Sequence, residues 1–282
     1  MLSRRKLLTG LGGIAATGIR AFARAGSVQV GVCSDSAHFA DAVHYGFDYY
    51  EPEASEMEAM DETGFQEFKA RVLASPIRCK AFRSLIRKLK VVGENVQVDD
   101  VRSYMDRTLG RCRQLGAEVV VWGSSGSRNV PAGFSRDRAW RQIRDFLRSA
   151  GDIARRNNLV IGIEHLRKQE SNIINTVGEA LRLVHEVNHP NVKMIVDFYH
   201  LRKENEDPEV IWQARAEIVH LHFANPAGRT WPKSPSEDPE YRPFFDLIKK
   251  IEYRGGISIE APAGNFQDDA VESLRFFQEM LA

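Results

Sequence analysis

The feature that most constrains this chain is an alternation. Short runs rich in β-branched and apolar residues recur at 28–33, 47–51, 77–82, 118–122, 160–164, 193–197, 218–222 and 257–260. Between them lie longer stretches of helical period, among them 98–115, 136–157, 176–187, 241–251 and 268–281. Each crossover helix returns the chain to the same edge of a sheet, so the strands run parallel, and eight such units are the number that closes a barrel. A doubly wound open sheet is the alternative. No G-x-G-x-x-G follows the first strand, which removes the main reason to prefer a dinucleotide-binding sheet. The expected fold is a (β/α)8 TIM barrel in one domain, with no Pro/Gly/Ser-rich linker to divide it.

The first 25 residues follow a different grammar. Ser3-Arg4-Arg5-Lys6-Leu7-Leu8 precedes a mildly apolar, glycine-interrupted run to Ile19, and Ala23-Arg24-Ala25 offers small residues at the spacing a signal peptidase reads. This resembles a twin-arginine export signal. The apolar run is too short to span a bilayer, which takes about 20 consecutive apolar residues. The expected organisation is a signal peptide over 1–25 and a barrel over 26–282. Its partners would then include the twin-arginine (Tat) export machinery, and its location would be periplasmic or otherwise exported, without stable membrane association after cleavage.

Composition limits the partners. With 39 basic and 38 acidic side chains the formal net charge is +1, so no global field draws the protein onto nucleic acid or an anionic membrane. Cys33, Cys79 and Cys112 lie far apart without C-x-x-C spacing, and read as buried, inert thiols.

In a TIM barrel the chemistry sits where strands end. The fifth to eighth strands end in Glu164, Asp197, His222 and Glu260, each directly after apolar residues. A lone acid at such a position is commonly a helix N-cap or a loop ion pair. Four in consecutive units need a shared compensation, because an unpaired buried charge costs several kcal/mol. A divalent metal ion supplies it. Three carboxylates with one imidazole suit Mn2+, or Mg2+ or Co2+, better than a structural zinc site, which favours thiolates. His220 shares a strand face with His222 and reads as a supporting or core histidine. His200, in the loop after the sixth strand, is placed to reach a substrate oxygen. His38, His44, His185 and His189 read as surface residues. Glu51 and Arg128 stand where pocket lining and a barrel-rim ion pair are equally open.

At this point the residues carry a resemblance. The stretch Ile163-Glu164-His165-Leu166-Arg167-Lys168-Gln169-Glu170-Ser171-Asn172-Ile173-Ile174-Asn175-Thr176 is similar to the segment that begins at a metal-binding glutamate in the xylose-isomerase-like sugar isomerases and epimerases, most of all the ketose 3-epimerases of the tagatose or psicose type. Asp197-Phe198-Tyr199-His200, His220-Leu221-His222, Ile257-Ser258-Ile259-Glu260, Val121-Trp122-Gly123-Ser124 and Tyr241-Arg242-Pro243-Phe244-Phe245 resemble the family's other motifs in order. The resemblance implies that Glu164, Asp197, His222 and Glu260 hold the metal and that Glu164 and Glu260 form the acid/base pair. It further implies that Glu170, His200 and Arg229 bind the sugar, in an assembly that could be a homodimer or homotetramer. His165, Arg167 and Gln169 depart from the proline, asparagine and aromatic residue usual at those places, and the arginine of the His222 loop is shifted by about one position. The activity so implied is an isomerase, shifting a proton next to a ketose carbonyl through an enediolate, with C3 epimerisation first. The rivals are a 3-keto-sugar dehydratase or glycoside lyase on the same site, and a barrel that binds sugar without turnover. An apurinic endonuclease reading needs more histidines and a basic surface.

Overall fold

The β-branched runs and amphipathic runs alternate in space as they do in the sequence. A computed structural model of the chain describes residues 27–282; the expected export signal lies outside the described residues. The elements run β1 (Gln29–Cys33), α1 (Phe39–Tyr45), β2 (Tyr49–Glu51), α2 (Ala54–Ala59), α3 (Glu62–Ala74), β3 (Ala81–Phe82), α4 (Val98–Gln114), β4 (Val119–Trp122), α5 (Ser125–Arg128) and α6 (Arg136–Arg156). They continue with β5 (Val160–Ile163), α7 (Val177–Val187), β6 (Val192–Asp197), α8 (Phe198–Glu204), α9 (Val210–Ala214), β7 (Ile218–Phe223), α10 (Tyr241–Lys250), β8 (Gly256–Ile259) and α11 (Phe266–Leu281).

All ladder pairs are parallel, in the order β2-β1-β8-β7-β6-β5-β4-β3. The barrel closes between β2 and β3 through a bridge of Glu53 with Arg83, where Ala54 N donates to Arg83 O at 2.8 Å and Arg83 N to Pro52 O at 3.1 Å. This is a TIM barrel in one domain. β3 is shorter than the expected 77–82 because Cys79 N donates to Leu115 O, in the turn before β4, instead of to a strand neighbour.

Helices form where the apolar stripe and the caps agree. α6 buries Ala139, Ile143, Leu147, Ala150, Ile153 and Ala154 on one face, and Ser135 Oγ caps it by accepting from Arg138 N at 3.3 Å. Thr176 caps α7 by accepting from Glu179 N at 3.0 Å. Behind β7 an aromatic cluster fills the space to α10 and α11: Phe223 stacks on Phe198 at 4.6 Å, with Tyr241, Phe245 and Phe276 within 6 Å. Inside the barrel, the Tyr49 ring lies against Gly31, where any side chain would meet it at 2.3 Å. No helix among the described residues is long and apolar enough to cross a membrane.

Candidate active site

The C-terminal ends of β5 to β8 bring Glu164, Asp197, His222 and Glu260 together. Each offers one ligand atom, and the four atoms lie within 4.8 Å of one another. The parallel register explains the convergence, since Asp197 pairs with His222 across β6 and β7 and side chains on one barrel face recur every second residue. Glu164 Oε1 lies 2.9 Å and Glu260 Oε2 3.5 Å from Nδ1 of His222. Gly123 makes room for Glu164: a β-carbon there would sit 1.6 Å from Glu164 Oε2.

The electrostatics of this cluster fit a divalent cation. Three carboxylates meet, and guanidinium groups reach only Glu260 among them: Arg229 Nη2 donates to its Oε2 at 2.7 Å, and Arg83 Nη1 lies 3.9 Å from its Oε1. Burial, then the Glu260 carboxylate, push Asp197 up to about 6 and hold Glu164 above the ordinary carboxylate range. Burial works against the charged form of Glu260 as well, but His222, Arg229 and Arg83 outweigh it and hold that carboxyl low. A dication relieves the crowding at Glu164 and Asp197 directly. A second trio, Cys33, Glu51 and His222, also converges. Two of its three groups are already bonded to each other, His222 Nε2 lying 2.9 Å from Glu51 Oε1, and burial, then the Glu51 carboxylate, raise the Cys33 thiol above its ordinary range.

Beneath the cluster lies a network that the sequence did not disclose. Glu51 is fully buried, with Oε1 2.9 Å from His222 Nε2 and Oε2 2.8 Å from His220 Nε2. Ser258 Oγ donates to Glu51 Oε2 at 2.5 Å and lies 2.7 Å from Tyr49 Oη. Glu51 therefore neither lines the cavity nor forms a rim ion pair, and His220 is a supporting group that shares its carboxylate with His222. Arg128 is likewise buried rather than pocket-lining: it donates to Trp122 O at 3.0 Å and to Glu164 O at 2.7 Å, fixing the backbone from which Glu164 projects. The inward alternation of Ser258 with Glu260, two residues on, was the available signal for the former.

The residues assigned to substrate sit around this centre. Arg229, held at φ 53°, joins Glu260 to Glu170, with its Nη1 3.3 Å from Glu170 Oε1, and it lies 4.8 Å over the Tyr199 ring. His200 stands in the first turn of α8 rather than in a loop, because Asp197 caps that helix by accepting from His200 N at 3.1 Å. Its Nδ1 accepts from Arg167 N at 3.2 Å, which leaves the ring proton on Nε2, and Nε2 has no hydrogen-bond partner among the described residues. The departures have local roles. His165 Nε2 accepts from Asp197 N at 3.3 Å, Arg167 Nε donates to Glu170 Oε1 at 2.7 Å, and Gln169 is exposed. Glu164, Glu170, Arg229 and Glu260 line a cavity of about 770 Å3 at this end of the barrel.

Comparison with known proteins agrees with this architecture. The profile of the xylose isomerase-like TIM barrel family matches residues 39–280. The 3-dehydro-D-guloside 4-epimerase of Escherichia coli K12 is 27% identical over 177 residues, covering 58% of this chain and 66% of that protein. A probable ketose 3-epimerase of Synechocystis is 23% identical over 237 residues, covering 82% of this chain and 78% of that one. The matched stretch thus spans just under two thirds of the first of these relatives. The structure of D-psicose 3-epimerase with D-tagatose from Clostridium cellulolyticum H10 superposes with a TM-score of 0.79 at 17% identity, covering 90% of this chain and 99% of that one.

Proposed function

The chain belongs to the xylose isomerase-like TIM barrel family, and from that premise we propose that it is a sugar epimerase or isomerase that shifts a proton on the carbon next to a ketose carbonyl, with C3 epimerisation the main outcome. The observation that carries the reading is the pair Glu164 and Glu260. Both reach the cavity from strands three places apart around the barrel, and both meet at His222. Relatives named as ketose 3-epimerases and as a keto-glycoside 4-epimerase support it.

Glu164, Asp197, His222 and Glu260 would hold a divalent metal ion, Mn2+ by ligand chemistry, with Mg2+ or Co2+ close in preference. When bound, such an ion supplies Lewis-acid polarisation of a carbonyl oxygen. One of the two glutamates removes the proton beside the carbonyl, leaving an enediolate, and the other returns a proton on the opposite face. Arg229 holds Glu260 and Glu170 in place, so that Glu170 can accept from a substrate hydroxyl. The Nε2–H of His200, buried 3.7 Å from Asp197 Oδ2 and making no hydrogen bond there, would donate to a substrate oxygen. Return of the proton at the carbonyl carbon would give aldose-ketose isomerisation. Loss of a β-substituent would make the site a lyase on 3-keto sugars. The N-terminal Arg4-Arg5 motif supports export through the Tat pathway to the periplasm.

Product analysis by NMR tests the proposal. Incubation with ketoses in D2O is expected to give a C3 epimer carrying deuterium at C3. An aldose as sole product would make the protein an isomerase, an unsaturated product a lyase, and sugar binding without product a non-catalytic barrel.

A further inference from the structure

Two histidines at neighbouring strand ends exchange hydrogen bonds with each other's segment. His165 directly follows Glu164, and its Nε2 accepts from Asp197 N at 3.3 Å. His200 stands three residues beyond Asp197, and its Nδ1 accepts from Arg167 N, two residues beyond His165, at 3.2 Å. Each imidazole thus serves a main-chain amide of the other segment. His165, Asp197 and His200 are all buried, so the Asp197 amide would lose its partner with the ring of His165. The sheet explains the need. The β5–β6 ladder ends where Ile163 pairs with Met194, three residues short of Asp197, and the side chain of His165 takes over as acceptor there.

The segment behind His165 is bonded to itself. Leu166 N donates to Ile174 O at 3.0 Å, and Asn175 Nδ2 donates to Leu166 O and to Ser171 O at 2.7 Å each. Tyr199, at the start of α8, is its platform: the guanidinium groups of Arg167 and Arg229 lie 5.0 and 4.8 Å over the ring, and both reach Glu170 Oε1, at 2.7 and 3.3 Å. A slip of this segment against α8 would therefore move Asp197, His200 and Glu170 together.

The reciprocal bonds also select tautomers. An amide N–H donates, so the accepting nitrogen carries no proton, which makes His165 the Nδ1–H form and His200 the Nε2–H form. His165 Nδ1 has no hydrogen-bond partner among the described residues, so the bond to Asp197 N is what sets its tautomer. Resting on the metal and proton-shift reading above, we infer that His165 is a positioning residue: it seats Asp197 for the metal ion and, by holding the 165–170 segment against α8, keeps His200 in the form that donates to the substrate. It acts through these two groups and not by contact with the sugar.

The test uses 15N–1H correlation spectra of the histidine rings and Mn2+ affinity read by electron paramagnetic resonance of the free ion. Metal-free wild-type protein is expected to show His165 as Nδ1–H and His200 as Nε2–H, each assigned by the signal lost in His165→Leu and His200→Gln. His165→Leu removes the acceptor, while His165→Gln returns one, Oε1, near the place of Nε2. Mn2+ affinity should fall about tenfold or more in His165→Leu, with the His200 signal shifting to a mixture of tautomers, and His165→Gln should restore most of both. Other tautomers in the wild type overturn the inference, as does an unchanged Mn2+ affinity or an unchanged His200 signal in His165→Leu. A His165→Gln variant as impaired as His165→Leu also overturns it, because the ring would then serve packing alone. None of these readouts needs a sugar: if they hold and no ketose exchanges a proton, the proton-shift reading fails and the role of His165 stands.

Discussion

Oε1 of Glu51 lies 2.9 Å from Nε2 of His222, and both side chains are fully buried. A carboxylate accepts, and both ring nitrogens of His222 face one, Nε2 toward Glu51 and Nδ1 2.9 Å from Glu164. Burial opposes the charged form, but the carboxylates, Glu51 first, outweigh it and hold the imidazole doubly protonated. A cation bound among Glu164, Asp197 and Glu260 would displace the Nδ1 proton and leave the Nε2–H on Glu51. Such a carboxylate-histidine pair fixes both the tautomer and the orientation of a metal-binding imidazole. The second oxygen of Glu51 is held by His220 and Ser258, so both carboxylate oxygens are engaged.

Glu51→Gln keeps the shape but turns an acceptor toward one imidazole into a donor. Affinity for Mn2+ is expected to fall by about 10- to 100-fold, read by electron paramagnetic resonance of the free ion, with the circular dichroism spectrum unchanged. Unaltered affinity would mean that Glu51 serves the barrel floor alone.

Gly123→Ala tests how tightly the Glu164 carboxylate is seated. The added β-carbon would lie 1.6 Å from Oε2 and 2.8 Å from Cδ of Glu164, so the carboxylate must move. A displacement of about 1 Å at a reacting group lowers rates by roughly 100-fold, and proton exchange on the substrate should fall by at least that much while the thermal midpoint moves little. Wild-type exchange in this variant would remove Glu164 from the reaction.

Phe223→Ala probes the aromatic cluster that backs the site. Phe223 is fully buried at the end of β7, stacked on Phe198 at 4.6 Å. Truncation should cost about 3–5 kcal/mol of unfolding free energy, measured by denaturant titration. A loss below about 1 kcal/mol would show that the neighbouring rings refill the space.

Asp269 gives the stability a pH dependence. Its Oδ2 accepts from Gly264 N at 2.7 Å and Asn265 N at 3.2 Å, and its Oδ1 pairs with Lys233 at 2.9 Å. Burial alone would raise its pKa, but the Lys233 bond and the two backbone donors outweigh burial and hold it below the ordinary carboxylate range. A depressed carboxyl contributes stability above its unfolded pKa of about 3.9, and that contribution is lost as the pH falls through the lower folded value. Thermal midpoints of Asp269→Asn should therefore vary less than those of the wild type as the pH drops below about 4. Parallel curves for the two proteins would assign the acid sensitivity elsewhere.

The barrel was legible because periodicity is local. The runs 160–164 and 193–197 are rich in β-branched residues and of strand length, and Ala139, Ile143 and Leu147 mark one face of a helix, each within a single window of sequence. The meeting of Glu164, Asp197, His222 and Glu260 was legible for the same reason, as each ends a strand of a closed sheet. What stayed hidden depends on contacts between distant segments. Glu51 and Ser258 are 207 positions apart, and only the pairing of β1 with both β2 and β8 makes them neighbours. The steric need at Gly123 and the retreat of β3 to Ala81 and Phe82 are likewise set by partners, Glu164 and Leu115, that no window of sequence contains.

The most direct test of the account is solvent deuterium exchange, beside the carbonyl, into free ketoses and 3-keto glycosides, run on metal-free protein, on protein with added Mn2+ and on Glu260→Gln. Exchange is expected to appear with the metal and to be lost in the variant. Exchange that is indifferent to the metal or survives Glu260→Gln, or none with any of these sugars although the metal binds stoichiometrically, would contradict it.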